Sequence, residues 1–283
     1  MSPRAIALDW SLDGPVGAAF LALLSAMGTL YLAAAARGRR IDRRSRRWPR
    51  NRTVGFLCGL GVLVLDLYSG IGTGADTRLS VHMTEHMVMW VIVAPLLTAG
   101  APVRLALYSL PREGRRRLGR RLRSRPIAAL TSPVGSVTLF ATVVLVTHLP
   151  AVYGRALSSD SVHETVHGLY LLTALLVWAP LLGADPLPHR PGPRGQLACM
   201  LACMVPMALL AVWLANASDP VYGHYVQALG PAALRDQRIA AAIMLVGCLP
   251  AFAVPALARL RMPQRRHLQP VSSHRAGTRR AAA

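Results

Sequence analysis

Two histidine pairs, His82/His86 and His163/His167, carry the spacing that metal chemistry needs. In a helix, residues four apart share one face with Cβ atoms about 5–6 Å apart, so each pair presents two imidazoles to one ion. His148 lies between the pairs in the chain as a fifth candidate ligand. Imidazole suits copper, zinc, iron and nickel, and the neighbours narrow the choice. Met89 continues the stripe of His82 and His86, while Met83 and Met87 occupy the adjoining face. Soft thioethers beside imidazoles favour copper, with zinc second. Glu85 and Glu164 sit in the same turns as the pairs, where a carboxylate can orient a ring N–H or ligate directly. Asp66 and Asp219 complete the supporting acids.

The same residues spell two short enzyme patterns. His163-Glu164-Thr165-Val166-His167 matches the H-E-x-x-H of zinc peptidases, and His82-Met83-Thr84-Glu85-His86 its inverted relative. A peptidase needs a third protein ligand, for which His148 or Asp219 would serve, an open coordination site and a glutamate aimed at the bound water. Two such patterns at one membrane face fit a shared multi-histidine site better than two proteases, so the residues read as a binding protein and not a catalyst. A bis-histidine haem held between facing helices is the other rival.

The elements that must position these groups are membrane helices. The chain is 53% hydrophobic over 283 residues, more than a soluble core of this size needs. Apolar stretches of about 20 residues, long enough to cross a hydrocarbon core of roughly 30 Å, recur near 15–36, 53–72, 81–101, 127–148, 162–183, 197–216 and 239–258. The expected fold is therefore an all-α, seven-transmembrane-helix bundle. Pro95, Gly100 and Pro102 predict a kinked or bipartite third span.

Arginine sets the orientation, since the chain contains no lysine. One set of alternate loops together with the C-terminal segment holds 27 arginines, and the other set together with the N-terminus holds 5. The positive-inside rule then gives an N-out, C-in topology, with an extracytoplasmic segment 1–13, a transmembrane domain 14–259 and a basic, disordered cytoplasmic tail 260–283. In that topology all five candidate ligands reach the outer leaflet. Met1 to Asp13 lacks the pattern of a cleavable signal peptide, so the first span reads as a retained helix.

A net charge of +20 raises nucleic acid as a partner, but the arginines line short juxtamembrane loops and read as contacts to anionic lipid. High alanine and arginine without lysine point to a bacterial plasma membrane. Cys199 and Cys203, one turn apart inside the sixth span, could hold a soft ion or simply pack between helices. His189, His267 and His274 lie among arginines and read as solvated bystanders. His224, taken singly, reads as an interfacial hydrogen-bonding residue.

Over approximately residues 50–260 the order of motifs resembles a known family. The run His82 to Pro102, HMTEHMVMWVIVAPLLTAGAP, is followed by His148-Leu149-Pro150 with Tyr153, then His163 and His167, then Trp178-Ala179-Pro180-Leu181 and Asp185-Pro186. Asp219-Pro220 with Tyr222 and Tyr225, and Asp236-Gln237, close the series. This order is similar to the caa3-type cytochrome c oxidase assembly factors, the multi-span group called CtaG. The resemblance implies a seven-span plasma-membrane protein that matures haem-copper oxidase, through copper delivery or maturation of a copper centre, with oxidase subunits or a copper donor protein as partners. It carries over His82, His86, His148, His163 and His167 as ligand positions.

Overall fold

The computed structural model describes residues 14–41, 48–69 and 74–252. Segment 1–13 and tail 260–283 lie outside the described residues. Among the described residues the protein is all-helical, without strands. The helices are α1 (Gly14–Ile41), α2 (Arg50–Tyr68), α3 (Leu79–Val88), α4 (Ala94–Ala99), α5 (Pro102–Ser109), α6 (Arg112–Leu122), α7 (Arg125–Leu130), α8 (Pro133–Thr147), α9 (Pro150–Leu157), α10 (Asp160–Leu182), α11 (Pro193–Asn216), α12 (Gly223–Leu229) and α13 (Ala233–Gly247). Among the described residues five stretches are long and apolar enough to cross a membrane: Gly17–Arg37, Arg50–Tyr68, Leu79–Ser109, Asp160–Leu182 and Pro193–Asn216. A sixth exists if α8 and α9, bent by 76° at their junction, count as one broken span.

Among the described residues five to six of the expected seven spans are present, and two stretches account for the remainder. The stretch read as 127–148 is divided by Thr131-Ser132-Pro133, leaving α8 with 15 residues, about 22 Å at 1.5 Å per residue and short of a bilayer core. The apolar pattern runs on across the break because Ser132 caps α8, its Oγ accepting from Gly135 N at 2.9 Å. The stretch read as 239–258 is described only to Phe252, as the end of α13 followed by a 3₁₀ turn, Leu249–Phe252.

The expected break in the third span is real and has two parts. Between α3 and α4 the helix widens into a π turn, Met89–Val93. Pro95 has no N–H to give and its ring crowds the preceding turn; the Ala94 N–H bonds Met89 O instead of Trp90 O. That releases the Trp90 carbonyl, and the indole of Trp178 on α10 donates to it at 2.8 Å. Trp178 is fully buried. The second part is at Ala101, whose φ of 51° ends α4 and turns the chain into α5. Gly100 lies so close to Phe56 that a Cβ there would fall 2.8 Å from the Phe56 Cβ.

Helix α3 sits between two neighbours with different chemistry. On one side it packs along α13, where a Cβ on Gly247 would lie 3.3 Å from Met87 Sδ. On the other it faces α9 and α10, toward which His82 and His86 turn. Its first turn is tied down in trans by α13: Asp236 accepts from Ser80 N at 3.1 Å and from Ser80 Oγ at 2.5 Å. Gln237 next to it takes Val221 N at 2.7 Å and donates to Leu214 O at 2.9 Å, joining α11 to the loop that follows it.

Candidate metal centre

Three segments bring their imidazoles together. From α3 come His82 and His86, their ring centroids 4.5 Å apart; from α10 come His163 and His167, at 4.3 Å. Across the gap His82 lies 5.5 Å from His163 and 5.9 Å from His167, and His86 lies 5.5 Å from His167. One ligand nitrogen from each of His82, His86 and His167 falls within 4.8 Å of the others, and all three residues are buried. Ligand nitrogens on one tetrahedral ion stand roughly 3.4 Å apart, given bonds of about 2.0–2.1 Å, so small rotamer adjustments close the set on a cation.

His148 is the last residue before the α8–α9 corner, and its ring lies 6.2 Å from that of His86. Its tautomer follows from its contacts. Nδ1 stands 2.8 Å from Val144 O, and a carbonyl only accepts, so Nδ1 carries the proton. The same N–H reaches Tyr170 Oη at 3.0 Å; the Tyr170 hydroxyl donates to Thr147 Oγ1 at 2.5 Å, and Thr147 donates to Val143 O at 2.7 Å. Nε2 is thereby left with its lone pair, buried and without a hydrogen bond.

That condition recurs through the cluster. His82 Nδ1, both ring nitrogens of His86 and of His167, Glu85 Oε2 and Asp66 Oδ2 are buried without hydrogen-bond partners among the described residues. Each such group costs about 1–3 kcal/mol if left unpaired, and structures rarely concentrate so many at one point. A cation at the centre of the imidazoles would satisfy several together, so the donor set fits a metal.

Two cavities serve the cluster. The inner one, about 10 Å³, is lined by His82, His86, His163, Tyr153, Tyr170 and Thr147 among others, and has room for roughly one water-sized body. The outer one, about 130 Å³, is lined by Asp76, Glu85, Asp160, Glu164, His163 and His167 with three apolar residues. Both are smaller than the roughly 300 Å³ and more of pockets that take molecules of drug or cofactor size.

Five candidate ligands are thus assembled, with Glu85 and Glu164 beside them. Asp66 is buried on α2 and lies within electrostatic reach of Glu85. Two expected supporters are elsewhere: Asp219 is exposed on the loop after α11, and Met89 is buried in the apolar core; neither lines a cavity at the cluster. His224 is exposed and bonds Asp76 O at 2.8 Å. Cys199 and Cys203 are buried and line neither cavity.

Sequence reasoning passed over Tyr170, Asp160 and Asp76. Tyr170 follows His163 by seven residues and His167 by three, and Asp160 precedes His163 by three, so helical spacing alone places them on the ligand face. Asp76 lies between helices and has no such signal. Outside the spans, burial pushes the Asp185 carboxyl up from its ordinary value, while backbone N–H groups of Arg104 and Val103 pull it back; Asp185 caps α5, accepting from Arg104 N at 2.7 Å.

A family model described as "Cytochrome c oxidase caa3 assembly factor" matches residues 29–263. Among curated relatives, "Uncharacterized protein Mb0105" of Mycobacterium bovis and "Uncharacterized protein MT0111" of Mycobacterium tuberculosis are each 28% identical over 219 residues, 75% of this chain and 32% of theirs. "Uncharacterized protein ML1998" of Mycobacterium leprae is 27% identical over 227 residues, 78% of this chain and 33% of its own. The chain therefore spans about a third of the length of the curated relatives it matches. No solved structure matches it.

Proposed function

Because the chain belongs to the cytochrome c oxidase caa3 assembly factor family, we propose that it binds copper as cargo in the histidine cluster and supplies it during oxidase maturation. The observation that carries this reading is the buried convergence of His82, His86 and His167, whose ligand nitrogens lie within 4.8 Å of one another. His163 and His148 complete the ligand set. The histidines hold the ion, the Val144 carbonyl fixes the tautomer of His148 with Tyr170 beside the same N–H, and Glu85 and Glu164 supply negative charge beside the cluster. Copper stands ahead of zinc because nitrogen sites bind it more tightly in the divalent series. Zinc is the alternative cargo.

The orientation belongs to the same reading. Seven spans, N-out and C-in, place the cluster at the extracytoplasmic boundary of a bacterial plasma membrane, supported by the 27-to-5 arginine asymmetry. Copper is then held where an oxidase subunit or a soluble copper donor can reach it. The test is metal analysis with complementation: purified wild-type protein is expected to retain copper and His82→Ala/His86→Ala to lose it, and cells lacking the gene are expected to regain oxidase activity with the wild type alone. Equal copper in both proteins would remove the reading.

One observation favours a second reading. His163, Glu164 and His167 of the peptidase pattern line one cavity together, as a zinc hydrolase would require. It predicts zinc in the purified protein and proteolysis abolished by Glu164→Gln, whereas a copper carrier with that substitution keeps supporting the oxidase.

A further inference from the structure

The outer cavity has a polarity of its own. Its carboxylates are Asp76, Glu85, Asp160 and Glu164, four of the twelve acidic residues of a chain whose net charge is +20. Asp76 and Asp160 are exposed, Glu164 is half-buried, and Glu85 is 1% exposed. The acids thus descend from the surface to the wall of the histidine cluster. Asp160 would be favoured in the first turn of α10 whatever lay opposite, and acids alone make no site. Glu85 supplies the separate observation: its Oε2 is buried without a hydrogen-bond partner among the described residues, and the residue lines the cavity.

From this arrangement we infer that the outer cavity is a capture vestibule for a hydrated divalent cation, which passes beside Glu85 to the imidazoles. The inference rests on reading the histidine cluster as a metal site. Three physical points carry it. Four carboxylates around one mouth make the local potential negative and raise the concentration of cations where uptake must occur. The volumes match a staged loss of water: about 130 Å³ takes an ion with several waters at roughly 30 Å³ each, and about 10 Å³ takes the ion nearly bare. The donors lining both cavities are oxygen and nitrogen, without a thiol or thioether, the set that suits divalent ions over a soft monovalent one.

The test is the rate of loading. Purified full-chain protein is mixed rapidly with cobalt(II) chloride over a range of sodium chloride concentrations, and the ligand-field absorption of the bound ion is followed. Asp76→Asn/Asp160→Asn is expected to load about tenfold more slowly at low salt and to lose most of the salt dependence of the wild type. Its final cobalt content stays unchanged. Glu113→Gln, an exposed acid on α6, leaves the rate as it was. An unchanged rate and salt dependence in the double variant overturns the vestibule alone, and so does a drop in its final content, which would make these acids ligands. Wild-type protein that binds no cobalt and no copper overturns the metal reading of the cluster and the vestibule with it.

Discussion

The two sides of α3 offer the same arithmetic and opposite outcomes. On the α10 side, paired histidines at i, i+4 meet other histidines and leave many ring nitrogens without partners. On the α13 side, sulfur is as abundant. Cys248 Sγ lies 3.5 Å from Met207 Sδ and 3.9 Å from Met87 Sδ, and Cys199 and Cys203 repeat the four-residue spacing on α11. There the groups are spent. The Cys248 thiol donates to Met244 O at 3.0 Å, and none of these sulfurs lines either cavity at the histidines. Ligand spacing makes a site where a third segment converges, space remains and polar atoms go unsatisfied; otherwise it makes packing.

The sharpest way to break that contrast is His82→Ala/His86→Ala, which should bring bound copper to background by elemental analysis of the purified protein. Next is Trp178→Phe. It leaves the Trp90 carbonyl buried and unpaired, for a loss of about 1–3 kcal/mol in stability, read as a lower melting temperature in detergent; copper content per folded molecule is expected to persist. Tyr170→Phe removes the acceptor beside His148 Nδ1 and should weaken copper binding about tenfold, measured by competition with a chelator. The smallest effect belongs to Cys199→Ala/Cys203→Ala: copper stoichiometry and affinity match the wild type. A comparable loss of copper in this variant and the histidine variant would erase the distinction between the two sides.

Much of the site was legible because helical spacing is a strong signal. His82, His86, His163 and His167 define faces without any knowledge of tertiary structure, and Glu85 and Glu164 travel with them. The corner that presents His148 was not. A continuous apolar run hid the division at Ser132-Pro133 and the 76° turn into α9, because hydropathy averages over the capping residues that end helices. Met89 misled for a different reason: it keeps the α register of His82 and His86, its N–H bonding Glu85 O, but one turn further along the helix its side chain lies in the apolar core and lines neither cavity. Asp76 gave no signal at all, since only the fold carries a residue between helices to the mouth of a cavity.

The bond from the Trp178 indole to the Trp90 carbonyl bears on how cargo can leave. It fastens two helices whose N-terminal halves each carry a histidine pair, about one helical turn beyond the fastening on α3 and about three on α10, and α3 is held a second time where Asp236 grips its first turn. With α3 pinned at two points and α10 at one, parting the pairs while the bonds hold asks more displacement of α10 than of α3.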